Sequence, residues 1–236
     1  MLMTEDSKMD WSQLITYNTI MSIAAGGALL TLVWFGRSLL KGEKLDMRSW
    51  SLAFAVPGVI LFLTGLHMTL TWPLALLPFD NIIFGETSLG FGVLLVAAAF
   101  YLWRRSDAID ESGEQLMHLS RVAKPLSIFI FGMGLALGAI AFAGLIFQLF
   151  AAPPEEPISG AFASTPWVEA IFMSGMFAFV GFGAVLFPLA LPKESLPRPT
   201  PLQWIVGFVW GLSGLGFFLF GALNFFTHIG LIVNTM

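Results

Sequence analysis

The sequence predicts an all-α polytopic membrane protein, a six-helix transmembrane bundle with both termini outside. Three observations predict it. The composition is too apolar for a water-facing surface, six apolar runs are long enough to cross a bilayer, and the cations fall in alternate connections. Of 236 residues, 57% are hydrophobic and 11% charged, against about 25% charged in soluble domains. The mean hydropathy is +0.83. This balance excludes a soluble enzyme, a disordered chain and a nucleic-acid binder, which needs a basic face. Cysteine is absent, so disulfides, Cys-ligated metals, iron–sulfur clusters and covalent c-type haem are excluded.

Bilayer hydrocarbon is about 30 Å thick and needs roughly 20 apolar residues per helix. Six segments meet this: 14–40, 50–74, 87–103, 122–150, 167–191 and 202–233. They form one transmembrane domain over 1–236. The runs are continuous, without the alternation of barrel strands. The first is preceded by Glu5, Asp6 and Asp10 rather than cations, so it reads as a retained helix and not a signal peptide.

The positive-inside rule sets the orientation. Arg37, Lys41, Lys44 and Arg48 fall between spans 1 and 2, and Arg104, Arg105, Arg121 and Lys124 between spans 3 and 4. Lys193 and Arg198 fall between spans 5 and 6, and only Lys8 lies on the other side. Trp11, Trp72 and Trp167 mark the outer ends, while Trp50, Trp103 and Trp204 mark the inner ends. The 104–121 connection reads as a short surface helix. No phosphate-binding glycine loop is present.

Glycine is frequent inside the spans. Gly134/Gly138 and Gly207/Gly211 are small-xxx-small pairs that predict close helix approach. Gly65, Gly144 and Gly221 lie in similar local settings and suggest three related helical hairpins.

Polar groups in hydrocarbon are costly and mark function. His67 and His228 both lie near outer span ends, within roughly 10 Å of the interface at about 1.5 Å per residue. Thr64, His67 and Thr71 share one helix face, as do Asn224 and His228. Asn18, Gln148, Asp80, Glu86 and Glu169 reach the same level. The inner half holds essentially no ionisable group. This predicts an outward-facing His/carboxylate pocket.

Three functions compete for it. The first is a respiratory or redox subunit holding one metal ion (copper, zinc or iron) or one haem b. His67 and His228 are its ligands, with Asp80, Glu86 and Glu169 as carboxylate ligands or orienting partners, and Asn18 and Asn224 bonding within the pocket. Its electron partner is a quinol or an external carrier. The second is a non-catalytic accessory subunit that packs by its glycine faces into a larger complex or homo-oligomer. The third is a small-solute or ion transporter, for which Pro57 and Pro188 lie too far from the polar cluster to mark a broken helix at the site.

The stretches from Asp10-Trp11 through Tyr17-Asn18-Thr19, 65–73, Phe79 to Glu86, and 224–230 carry most of this polarity. They resemble an uncharacterised family of small prokaryotic membrane proteins, classed as a domain of unknown function. The resemblance implies a six-span fold in the cytoplasmic membrane of a bacterium or archaeon. It transfers no activity and no catalytic residue.

Overall fold

The computed structural model describes residues 17–194 and 198–236. Trp11 and residues 14–16 of the first predicted span lie outside them. Six helices are long and apolar enough to cross a membrane: α1 (Asn18–Leu40), α2 (Met47–Thr71), α3 (Pro78–Glu111), α4 (Gln115–Phe147), α5 (Trp167–Ala190) and α6 (Pro201–Thr235). No strand occurs among the described residues.

Local chemistry sets the helix ends. Asp46 caps α2, its carboxylate accepting from the backbone N–H of Arg48 and Ser49 at 3.2 and 3.3 Å. Thr200 and Gln203 form a capping box at α6, with Pro201 in the first turn. Trp72 and Gln148 end α2 and α4 in the left-handed conformation, at φ 48° and 51°. Pro57, Pro125 and Pro188 all lie within helices that continue through them.

Three predicted boundaries move by several residues. The third helix runs past Trp103 to Glu111, and the fourth starts at Gln115 rather than Val122. The predicted surface helix over 104–121 is therefore the ends of two spans joined by a short turn, 112–114. The third helix also begins early, at Pro78, through a π-helical segment Asn81–Glu86. Buried Asn81 anchors it: its side chain accepts from Leu74 N (3.2 Å) and donates to Leu74 O (3.1 Å) and Pro78 O (3.2 Å).

The helices form a ring in the order α3–α2–α1–α6–α5–α4. The pairs α2/α3, α4/α5 and α1/α6 pack most closely, whereas α3 and α4 touch only sparingly although they are sequence neighbours. Glycine permits the close pairs. A Cβ on Gly65 would overlap the backbone N of Leu89, and one on Gly92 the backbone N of Phe62. The same reciprocal contact joins α6 to α1, where Gly221 faces Ile23 N and Gly26 faces Phe218 N. Gly134 and Gly181 meet across α4/α5. A Cβ on Gly207 or Gly211 would meet nothing, so that pair is not a helix contact, whereas the Gly138 backbone N lies 3.2 Å from a Cβ built on Gly181. Gly144 faces the side chains of Ser174 and Phe150 rather than a helix backbone. The repeat is thus clearest between α2/α3 and α6/α1.

Candidate functional site

A cavity of about 310 Å³ occupies the middle of the ring. Five helices line it; α2 sits behind α1 and α3 and does not. Its polar side chains are Asn18, Ser22, Thr87, Ser88 and Asn224, all toward the face that carries the start of α1 and the end of α6 (the terminal face). The Trp210 indole also lines it, but its N–H is committed to Val180 O at 3.1 Å. Toward the opposite, cationic face the walls are Ala123, Leu126, Phe187 and Trp210. Among the described residues, no ionisable side chain lines the cavity.

The hairpin repeat explains how the walls are built. In the register set by Gly92 and Gly26, Phe84, Thr87, Ser88, Phe91, Leu95 and Ala98 on α3 match Asn18, Met21, Ser22, Ala25, Leu29 and Leu32 on α1. Every one of these side chains lines the cavity. The matching register on α2 and α6 pairs Met68 with Asn224. Where one hairpin presents Phe84 and Met68, the other presents two amides. Ser22 donates to Phe217 O at 2.7 Å and is satisfied. Among the described residues, the Asn18 Oδ1 is buried without a hydrogen-bond partner. Leaving such a group unpaired costs about 1–3 kcal/mol.

The structure brings Asn18 and Asn224 together on this cavity and places the other predicted site residues elsewhere. His67 lies on the exposed side of α2, edge-on to Tyr17 with ring centroids 5.5 Å apart. The Thr71 hydroxyl donates to the His67 carbonyl at 2.8 Å and stands 3.4 Å from its Nδ1. Thr64 bonds the Ile60 carbonyl instead of the imidazole. Glu86 is exposed, and Asp80 is half-buried in the first turn of α3. Glu169 accepts the Ala152 N–H at 2.6 Å. His228 Nε2 is 3.8 Å from Glu156 Oε1. Among the described residues, no group of three His, Asp or Glu side chains is arranged to hold a metal ion.

Sequence reasoning missed Glu156. It sits in the loop between α4 and α5, yet it is buried. Burial pushes its carboxyl above the usual carboxylate range, and the neighbouring Thr227 hydroxyl offsets part of that. The loop is pinned to α6, because Asn234 Nδ2 donates to Glu155 O at 2.8 Å and Pro157 seats on Gly230. The sequence signal was there: Glu155-Glu156-Pro157 opposite a helix bearing Gly230 and Asn234.

Residues 10–230 match the family described as a protein of unknown function, DUF981, and the chain belongs to that family. No curated protein matches the chain. No solved structure matches it either.

Proposed function

We propose that this DUF981 chain binds a membrane-dissolved amphiphile with a neutral, hydrogen-bonding head. The head lies between Asn18 and Asn224, and the apolar body runs toward the cationic face. The observation that carries this reading is that the amide residues Asn18 and Asn224 line one end of a cavity whose described walls carry no charge. An amide offers both donors and an acceptor to a hydroxyl head. A lining without an ionisable group among the described residues favours a neutral head over a phosphate. A quinol meets these terms, which fits a role in a redox membrane system. By the positive-inside rule the terminal face is the outer one, in the cytoplasmic membrane of a bacterium or archaeon.

Binding of a decyl-chain benzoquinol to protein in nanodiscs tests the reading. Saturable binding is expected, weakened about ten-fold by Asn224→Leu, which removes one hydrogen bond worth about 1 kcal/mol or slightly more. Equal binding by wild type and variant, or none by wild type, overturns it.

A second reading keeps a metal ion at the terminal face. The approach of His228 to Glu156 favours it, with Glu169 within Coulombic reach of Glu156. It needs both carboxylates to converge on the imidazole, and His67 stands apart as a weaker donor. A haem in the central cavity would find no imidazole in its walls. An absorption spectrum and elemental analysis of purified protein test both cofactors. A Soret band, or stoichiometric copper, zinc or iron lost in His228→Ala, supports the metal-site reading.

A further inference from the structure

The cavity's ligand can arrive from water or from the bilayer, and the two routes select different molecules. Which route applies rests on the amphiphile reading above. Around the ring, every neighbouring pair packs closely except α3 and α4. Chain connectivity accounts for this. The turn at 112–114 ties the two helices at the cationic end, where Tyr101 Oη lies 2.9 Å from His118 Nε2. Beyond that point α3 is committed to α2 and α4 to α5.

Leu94 and Ala98 on α3 and Leu126 and Ile130 on α4 lie along this seam, and all four line the cavity. Leu126 is also 45% exposed, more than any other of the four, which suits a residue at the mouth of the seam. Farther toward the terminal face, a Cβ on Gly90 would stand 2.9 Å from Met133 Cε. The seam is closed there by a flexible thioether laid over a glycine. Among the described residues, no hydrogen bond or ion pair joins α3 to α4 on the terminal side of Tyr101–His118. Parting the seam thus breaks no polar contact. It exposes only apolar side chains to lipid tails that are equally apolar.

We infer that the α3–α4 seam is a lateral portal, and that the ligand is a long-chain, membrane-resident amphiphile. Its head occupies the amide end, and its tail leaves past Ala98 and Leu126 into the bilayer. A chainless, water-soluble solute gains nothing from such an exit.

The absence of cysteine makes the test clean. Ala98→Cys/Leu126→Cys places the only two thiols across the seam. A short, reducible bis-methanethiosulfonate linker joins them in nanodiscs. The probes are a decyl-chain benzoquinol and the same quinol without the chain. The decyl probe is expected to bind wild type more tightly. Bridging is expected to slow its exchange by about ten-fold or more, with recovery on reduction. Single-cysteine variants carrying the linker control for bulk, and Leu94→Cys/Ile130→Cys replaces the first pair if that pair does not fold. If wild type binds the decyl probe but bridging leaves exchange unchanged, only the portal is wrong. If wild type binds neither probe, the ligand reading is wrong and the portal falls with it.

Discussion

Asn18 and Phe84 hold the same register position on α1 and α3, and both face the central cavity. Around them the two helices present matching walls, down to Ser22 and Ser88. The amide is a departure from the repeat. A buried amide oxygen with no hydrogen-bond partner among the described residues is a cost to folding.

That cost gives the first prediction. Asn18→Leu removes the orphan and is expected to raise thermal stability in detergent by about 1 kcal/mol, while weakening quinol binding about ten-fold. Thermal unfolding and binding measured on the same preparation check both signs. Loss of stability together with loss of binding would point to a structural role for the amide.

Glycine contacts separate sharply into two groups. Gly26→Ala drives a Cβ into the Phe218 backbone, so α1 and α6 must part; a loss of about 2 kcal/mol or more is expected. Gly207→Ala and Gly211→Ala meet open space and are expected to be neutral or slightly stabilising through helix propensity. Unfolding midpoints of the three variants test the contrast, which equal losses would refute.

Six spans were legible because hydrocarbon thickness fixes the length of a crossing helix, and six apolar runs reach that length. Hydropathy does not read where a helix stops in water, so Arg104 to Glu111 and Gln115 to Arg121 read as a separate surface helix instead of the ends of two spans. The π-helical start at Asn81 depends on a side chain reaching back to Leu74, a contact with no periodic trace. Asn18 and Asn224 were legible by depth alone. Depth could not show that His67 points away from the cavity, since rotation about a helix axis is set by its neighbours. The burial of Glu156 had no hydropathy signal, because it lies in a loop; only the Glu155-Glu156-Pro157 run opposite Gly230 and Asn234 pointed to it.

Asn81 supplies a third prediction. Asn81→Leu forfeits its bonds to the Leu74 amide and carbonyl and leaves those buried groups unpaired. A loss of about 2–4 kcal/mol is expected. Faster proteolysis within 72–80 is the local readout, and an unchanged cleavage rate would count against the anchor.

Glu156 makes the 148–166 loop sensitive to pH. Its folded pKa lies above the ordinary 4.5, so the folded loop holds the proton more tightly than the unfolded chain. Docking is then firmest below 4.5 and weakens as pH rises through the folded value. His228 and Glu169 face the same carboxyl and shape the slope. Hydrogen exchange at 150–165 should quicken with pH beyond its intrinsic trend, and Glu156→Gln should remove the excess. An identical profile in both proteins would refute this account.

The uncharged walls around the central hollow have an electrical consequence. An ion entering there would shed its hydration and meet only side-chain hydroxyls and amides at one end, then hydrocarbon. Under the proposed lateral entry, such a hollow would act as a dielectric plug: a membrane studded with this protein would keep its voltage while oily molecules exchange through the same space.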